Sequence, residues 1–470
     1  MDSNNNPKMV KTLSKFDLLA IGVGAVIGWS WVIYAGFWSA TPGTLGGILA
    51  FAVAGILCSL IGLVYAELTS AFPKIGVDVS VTYLGLGKIP SVIVMWCTLF
   101  LWISFVFIEA IMFPIILKNL GFAIPEAGYL FTFVGTPVYA SYVAVSLALN
   151  TFFALINLRG IQVAGWVQTA AVAIIAAAAV FFCGSGIVLG DPVNAQPLFT
   201  DGKGLSAVML MVPGFLSGFN AIPTAVEETN VKPKTEGKLV LATVWGSVIF
   251  YVLIIVGLSL SMPAELRGGD GLVVVEAVKI LFNGNKVATL FVTFASLMGM
   301  LTTWNASYIA GSRFLFGMSR AKMMPQMFGK LHNKFGTPVN ALIFMFILGT
   351  IAPFVGANQA IYVAMVDVSS FGLVITWLIV ALTFVKLRKN MPDINRPYKV
   401  PAGNFIGWLT VIYCICYLFL YTPWGPSGLT NLEWVIVAII IVAAIIVYFA
   451  YNRRGGDIPD EERQKLFLGE

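Results

Sequence analysis

The first long apolar segment contains the stretch Ile21-Gly22-Val23-Gly24-Ala25-Val26-Ile27-Gly28-Trp29-Ser30-Trp31, which three glycines interrupt. Glycine weakens a helix and lets other groups come close to its backbone. Two interpretations are open at this point. Gly24 and Gly28 are spaced for close helix–helix packing, or the helix is broken and its free amides after Gly28 face a cavity at mid-membrane depth. A matching break in the other half of the chain favours the second, because inverted repeats interrupt corresponding helices.

A second apolar segment carries such a break. It reads Pro213-Gly214-Phe215-Leu216-Ser217-Gly218-Phe219-Asn220, and Pro223 follows it. Two prolines and two glycines disfavour a continuous helix. Carbonyl groups freed around Gly214 to Ser217 form the negative end of a half-helix, which suits a cation or an ammonium group. The sequence therefore predicts two broken helices around one site.

The composition is that of a membrane protein. Of 470 residues, 59% are hydrophobic and 11% are charged, whereas an ordinary soluble domain has about 25% charged residues. Apolar runs near or above about 18 residues predict about twelve transmembrane helices. They lie at roughly 17–38, 46–66, 91–117, 138–156, 163–189, 205–226, 239–261, 287–312, 339–355, 360–385, 404–422 and 434–451. We expect an all-α fold in a cell membrane.

The charge distribution predicts the orientation. The net charge is +6, and most lysines and arginines fall on one side when the N-terminus is taken as cytoplasmic. This is the positive-inside pattern, and an even number of spans places both termini in the cytoplasm. The positive charge is thus explained by topology, and we expect the lipid bilayer, and no nucleic acid, as the macromolecular environment.

Metal and cofactor chemistry has little support in the sequence. All five cysteines lie inside apolar runs, where they act as small hydrophobic residues, and no disulfide is expected. His332 is the single histidine and lies in a basic loop. No metal-ligand cluster and no nucleophile–base spacing is present, so we expect no metal, no cofactor and no enzyme activity.

Two acidic residues lie within predicted spans and away from their ends. Glu109 has no basic residue near it on its own helix. A carboxylate at that depth is costly and marks a substrate, ion or proton site by default, although a protonated Glu109 bonded to a neighbouring helix would be structural. Asp367 is followed by Ser369 and Ser370, which can hydrogen-bond it, so both a structural and a functional role are open.

The order of several motifs resembles that of the amino acid–polyamine–organocation (APC) permeases, from Phe16 to Pro401. The motifs are Gly22-x-Gly24-x-x-Ile27-Gly28; Ala66-Glu67-Leu68 with Phe72-Pro73-x-x-Gly76-x-Asp78; Gly218-Phe219 with Glu227-Glu228; Asn305-Ala306-Ser307, Arg313, Met318-Ser319-Arg320, Pro325, Phe328 and Phe335-Gly336-Thr337-Pro338; Leu387-Arg388-Lys389; and Arg396-Pro397-Tyr398-Lys399-Val400-Pro401. The resemblance implies a 5+5 inverted repeat (LeuT-like) with helices 1 and 6 broken, plus two extra helices. The implied divisions are a cytoplasmic arm at 1–15, repeats at 16–190 and 200–390, helices 11 and 12 at 402–452, and a cytoplasmic tail at 453–470.

The resemblance also implies a substrate site at the two breaks. The implied substrate-binding residues are Ile27, Gly28, Trp29, Ser30, Gly214, Phe215, Ser217 and Phe219. In this assignment the amides of Gly28 to Ser30 hold a carboxylate and carbonyls at 214–217 hold an amino group, while Phe219 is an aromatic gate. The charge expected at each break agrees with these roles.

Three positions depart from the pattern of the family. Gly28-Trp29-Ser30 replaces a small triplet, so Trp29 either narrows the cavity and stacks on an ammonium group or packs elsewhere. Ile175 stands where some proton-coupled members carry a lysine. Glu109 is not part of the general pattern, and it either anchors an amine or carries a proton.

We therefore expect a secondary transporter that moves amino acids or closely related small amino compounds by alternating access. An organic amine or polyamine permease is the main alternative, and a membrane enzyme or a nutrient sensor is a remote one. Because Ile175 replaces the lysine, exchange, facilitated flux, coupling to Na⁺ and coupling to H⁺ through Glu109 all stay open. A sodium site requires carbonyls near Ala25 or Gly28 and hydroxyls on the eighth helix, where Ser296, Thr302 and Thr303 are available.

Overall fold

Helices make up nearly all the regular structure of this protein. The structure, a computed structural model, describes residues 9–268, 271–425, 428–453 and 458–468. The α-helices in chain order are α1 Lys15–Val26, α2 Ser30–Ile33, α3 Ala35–Ala40, α4 Thr44–Ala71, α5 Val77–Leu86, α6 Lys88–Asn119, α7 Ala140–Leu158, α8 Ile161–Leu189, α9 Gly202–Phe215, α10 Pro233–Ser261, α11 Ala264–Arg267, α12 Val273–Leu281, α13 Lys286–Arg320, α14 Val339–Ile351, α15 Gln359–Asn390, α16 Gly403–Phe419, α17 Asn431–Arg453 and α18 Asp460–Leu468. Short 3₁₀ helices lie at Pro192–Ala195, Ser217–Thr224, Val226–Glu228, Gln326–Gly329 and Ala352–Val355.

Nine helical segments in the described residues are long and apolar enough to cross a membrane. The prediction of a multi-pass all-α membrane protein is thereby confirmed. The three remaining predicted spans coincide with the interrupted helix α1–α3, with α14 and its 3₁₀ extension, and with α16, which is 17 residues long. The twelve-span inverted repeat and the divisions drawn along the chain stay predictions.

The first span is interrupted where the glycines indicate. Ser14 and Asp17 form a capping box that starts α1, because each side chain bonds the other's backbone amide. The helix ends at Val26, and Ile27 leaves helical geometry with φ −85° and ψ 81°. The chain resumes as α2 at Ser30, so the span consists of two parts joined by an irregular link.

The second interruption follows Phe215, the last residue of α9. Leu216 adopts φ −107° and ψ 4°, and a 3₁₀ helix then runs over Ser217–Thr224. Pro223 cannot donate a backbone hydrogen bond, which disfavours a return to α-helix. Regular α-helix begins again only with α10 at Pro233.

The two interrupted spans touch backbone to backbone. A Cβ atom added to Gly218 would lie 2.5 Å from the carbonyl carbon of Ala25 and 2.5 Å from the amide nitrogen of Val26. Only glycine permits such an approach. Gly218 therefore allows the 3₁₀ segment to pack in direct contact with the end of α1.

Some structure lies outside the predicted spans. Strand β1, Tyr129–Phe133, pairs antiparallel with β2, Thr136–Tyr139, in a hairpin between α6 and α7. The predicted tail contains α18, which packs on α5: the Phe467 ring lies 5.3 Å from that of Tyr83. Residues 1–8 of the predicted arm, and 454–457 and 469–470 of the predicted tail, lie outside the described residues.

Candidate functional site

A cavity of about 590 Å³ lies at the two breaks. It extends along α2, α3 and α9, away from the N-terminus of α1. The end of α3 and the start of α9 lie close together, since a Cβ at Gly204 would be 2.5 Å from the Thr41 carbonyl oxygen. The remaining walls come from the end of α1, from α6, α13, α15 and α16, and from the segment after α16. This volume is typical of a small-molecule site.

Most of the predicted site residues line this cavity. They are Gly28, Trp29, Ser30, Glu109, Gly214, Phe215 and Ser217. Trp29 faces the cavity and its ring lies 6.3 Å from that of Tyr362. Of the two alternatives for Trp29, the structure therefore favours the one that narrows the site.

Two predicted residues, Ile27 and Phe219, are absent from the described cavity wall. Ile27 is buried in the core. Phe219 is fully buried and packs between Tyr65, at 5.6 Å, and Trp377, at 5.9 Å between ring centroids. In this conformation Phe219 is part of the packed interior, beyond the site residue Ser217.

At the first break, the free amides differ from those expected. The Gly28 N–H donates to the Val26 carbonyl at 3.0 Å, so it is engaged and not free. The N–H groups of Trp29 and Ser30 have no hydrogen-bond acceptor within the described part of the chain. These two amides, which line the cavity, are the donors available to an anion.

Tyr251, which sequence reasoning missed, bridges the first break. Its hydroxyl donates to the Val26 carbonyl at 3.1 Å and lies 3.3 Å from the Ser30 hydroxyl oxygen. The bond reaches across 225 residues from α10, and an aromatic residue in an apolar run carries no local signal of such a role. Tyr251 thus ties the end of α1 to the start of α2.

At the second break, one carbonyl is satisfied and one is free. The Ser217 hydroxyl donates to the Gly214 carbonyl at 2.9 Å. The Phe215 carbonyl accepts no hydrogen bond within the described residues. Phe215 therefore provides the open acceptor for a positively charged group.

The cavity contains acids without basic partners. Glu109 is 2% exposed, and its Oε2 has no hydrogen-bond partner among the described residues. Asp367 also lines the cavity, while no lysine, arginine or histidine occurs among the described lining residues. An isolated buried carboxylate is unfavourable, so a neutral carboxyl or a bound cation is required at Glu109.

Backbone and hydroxyl oxygens converge beside the first break. The Thr302 hydroxyl lies 3.3 Å from the Ile27 carbonyl, and the Thr303 hydroxyl lies 3.4 Å from the Gly24 carbonyl. Both hydroxyls also approach the Gly299 carbonyl, at 2.7 and 3.3 Å. An all-oxygen set suits a hard cation.

The third hydroxyl predicted for this site, that of Ser296, is not part of the set. Ser296 donates to the Val292 carbonyl on its own helix at 2.7 Å, and it forms no hydrogen bond to the first interrupted helix in the described residues. No group of three or more His, Cys, Asp or Glu side chains suited to a metal ion occurs in the described residues.

On the other side of the breaks the protein is closed. Arg313 Nε donates to Glu228 at 2.9 Å, and both side chains are buried. The amides of Thr12 and Leu13 donate to the Glu228 carbonyl at 2.9 and 3.0 Å, and Thr229 donates to the Leu13 carbonyl at 2.9 Å. The N-terminal arm and the chain after the second break therefore close this side together.

The sequence matches known proteins over almost its whole length. The model of a family described as amino acid permease matches residues 13–448. The chain is 25% identical to a methylthioribose transporter of Bacillus subtilis, over 96% of this chain and 95% of that protein. It is 26% identical to a branched-chain amino acid permease, BcaP, of the same organism, with the same coverage. It is 22% identical to an aspartate-proton symporter of Bacillus subtilis, over 94% of this chain and 84% of that protein.

Proposed function

This chain belongs to the amino acid permease family. We propose that it is a transporter that moves amino acids or closely related small amino compounds across a membrane. The relatives are named as carriers of branched-chain amino acids, of aspartate with a proton, and of methylthioribose. We place the protein in the cell membrane with both termini in the cytoplasm, as the distribution of lysine and arginine predicts.

The observation that carries the proposed mechanism is the meeting of two broken helices at one cavity. The substrate carboxylate binds the free amides of Trp29 and Ser30, and the α-amino group binds the Phe215 carbonyl. Opposite charges are thus matched to opposite groups at the two breaks. Trp29 covers the substrate, and transport proceeds when the closed side opens and the cavity side closes.

For the coupling ion we propose Na⁺, held by oxygens at the first break. The convergence of Thr302 and Thr303 with the carbonyls of Gly24, Ile27 and Gly299 supports this assignment. The Ile27 carbonyl lies in the link that also carries the substrate amides, so ion binding orders the substrate site. Proton coupling through Glu109 is the second candidate, favoured by its unpartnered oxygen.

The test is ligand-dependent thermal stabilisation of the purified protein. Each amino acid is paired with its decarboxylated amine, with and without sodium. A ligand at about 100 times its dissociation constant adds roughly 2.7 kcal/mol to the free energy of unfolding. We expect stabilisation by amino acids and not by their amines, and an increase when sodium replaces potassium.

Two outcomes contradict parts of the proposal. Stabilisation by amines alone shows that the amides of Trp29 and Ser30 do not hold a carboxylate. Stabilisation that does not depend on sodium but increases at low pH would contradict the proposed sodium site and would indicate coupling to a proton.

A further inference from the structure

The cavity contains more acidic groups than are required to bind a neutral amino acid. The amides and the carbonyl at the breaks match one carboxylate and one ammonium group. Glu109 and Asp367 remain, and no basic side chain faces them among the described residues of the cavity wall. Glu109 is 2% exposed with one oxygen unpartnered, which is the arrangement of an acceptor that lacks its donor.

A second acid, from α17, lies behind Asp367. Glu433, in the first turn of α17, is 4% exposed and accepts from the Thr430 amide at 2.6 Å. Asp367 lies close to Glu433, and Asp367 is the member of this pair that faces the cavity.

Aromatic rings line the same cavity as the two acids. Tyr362 and Tyr34 are lining residues together with Glu109 and Asp367, and Trp29 lies beside Tyr362. Aromatic faces attract cations, more strongly when water is excluded. The cavity therefore combines acids and aromatic rings, which suit a positively charged group.

We infer that the substrate is a dibasic amino acid, whose side-chain cation binds between Glu109 and Asp367 against the ring of Tyr362. This inference rests on the proposed function, since the α-carboxylate and α-amino group still bind at the two breaks. A cavity of about 590 Å³ accommodates a four-carbon or guanidinium side chain. Each of the two acids then forms a charge-assisted hydrogen bond, which is about twice as strong as a neutral one.

Competition binding to the purified full-length protein tests the inference with matched ligands. Lysine is compared with norleucine and arginine with citrulline, since each pair differs mainly in the side-chain charge. We expect each cation to bind at least about tenfold more tightly than its neutral partner, as one additional charge-assisted hydrogen bond predicts. Cadaverine and agmatine, which are lysine and arginine without the α-carboxylate, show whether that group contributes to binding.

Variants identify the residues that set this preference. Glu109→Gln and Asp367→Asn are each expected to lower the ratio of cation to neutral affinity about fivefold or more. Asp367→Glu keeps the charge and is expected to keep the preference. Glu433→Gln changes an acid that is not among the described residues of the cavity wall, so its ratio is expected to be unchanged. Glu126→Gln, an exposed acid on the loop after α6, is the control for general surface charge.

The results separate this inference from the proposed function. Equal binding of norleucine and lysine, with a ratio that Asp367→Asn does not change, overturns the dibasic substrate and leaves amino acid transport intact. Binding of cadaverine and agmatine without lysine or arginine overturns both. A preference for cations that Glu126→Gln lowers as much as Asp367→Asn also overturns the assignment to this cavity.

Discussion

Single hydroxyl groups hold the first break in its shape. The link Ile27–Trp29 has few hydrogen bonds of its own, because a break exposes backbone groups that a helix would satisfy. The hydroxyl of Tyr251 supplies a second donor to the Val26 carbonyl, beside the Gly28 amide, and also lies next to the Ser30 hydroxyl. The amides of Trp29 and Ser30, the proposed carboxylate donors, are therefore supported by a residue that is not among the described residues of the cavity wall.

Removal of that hydroxyl is predicted to weaken substrate binding. Tyr251→Phe removes one of the two donors to the Val26 carbonyl, which keeps the Gly28 amide, so the lost hydrogen bond costs about 0.5–1.5 kcal/mol. We expect a lower melting temperature and a several-fold higher dissociation constant for the amino acid, measured by thermal unfolding and equilibrium binding. Tyr65→Phe is the control, because the buried Tyr65 hydroxyl has no partner in the described residues. Equal losses in the two variants would contradict the bridging role.

The two threonines of α13 provide a separate prediction at the same scale. Thr303→Val removes one hydroxyl oxygen and keeps the volume, so sodium is expected to lose its stabilising effect on the melting temperature. Thr302→Val should act similarly, while Ser296→Ala should not, since both threonine hydroxyls reach carbonyls of the first interrupted helix and Ser296 bonds only its own helix in the described residues. Sodium dependence that persists in both threonine variants contradicts the proposed ion site.

At the level of elements, the closed side is held by two ion pairs of different character. Arg313–Glu228 is buried, whereas Arg320–Glu227 is formed at 2.6 Å by an arginine side chain that is 52% exposed. A buried pair is strongly destabilised when one partner is removed, because the other charge stays buried. An exposed pair contributes about 1 kcal/mol or less.

Arg313→Met is therefore predicted to be far more damaging than Arg320→Met. We expect a loss of about 3–5 kcal/mol in the free energy of unfolding for Arg313→Met and less than about 1 kcal/mol for Arg320→Met. The double variant Arg313→Met with Glu228→Gln should recover part of the loss. Thermal unfolding in detergent measures these differences, and similar losses in the two single variants would show that burial does not decide the effect.

The elements that sequence reasoning found are those with strong local signals. Glycine and proline indicated both breaks to within a few residues, and hydropathy indicated the spans. The hairpin β1–β2 was missed because strands this short resemble loops. Helix α18 was missed because its amphipathic pattern is weak, although Phe467 and Arg463 are buried.

The details of the site depended on contacts between distant parts of the chain. The engagement of the Gly28 amide by Val26 depends on the torsion angles of the link, which no residue pattern specifies. Tyr251 and Glu433 lie on α10 and α17, two helices that contain neither break. Glu109, by contrast, was recognised from sequence alone, because a lone acid in an apolar run is conspicuous.

At the scale of the whole molecule, a reagent outside the cell is expected to reach residues on the cavity side of the breaks and not those on the closed side. With cytoplasmic termini, the cavity opens outward in this conformation. Val363, on α15, lines the cavity, and Asn220 is buried beyond the second break. The two positions therefore report on opposite sides of the site.

Single cysteines at these positions, in a variant without the five native cysteines, test this arrangement in intact cells. A membrane-impermeant maleimide is expected to label Val363→Cys and to spare Asn220→Cys. Substrate should slow labelling of Val363→Cys, because it occupies the cavity. Labelling of Val363→Cys only in inside-out vesicles would show that the orientation is reversed.

The contact at Gly218 has a mechanical consequence. Because Gly218 has no side chain, the 3₁₀ segment packs directly against the backbone of Ala25 and Val26 and against the Val26 side chain. A shift of the first interrupted helix is therefore expected to move the second with it. Arrangements in which only one of the two breaks has moved are disfavoured, because they would separate or overlap these backbone atoms.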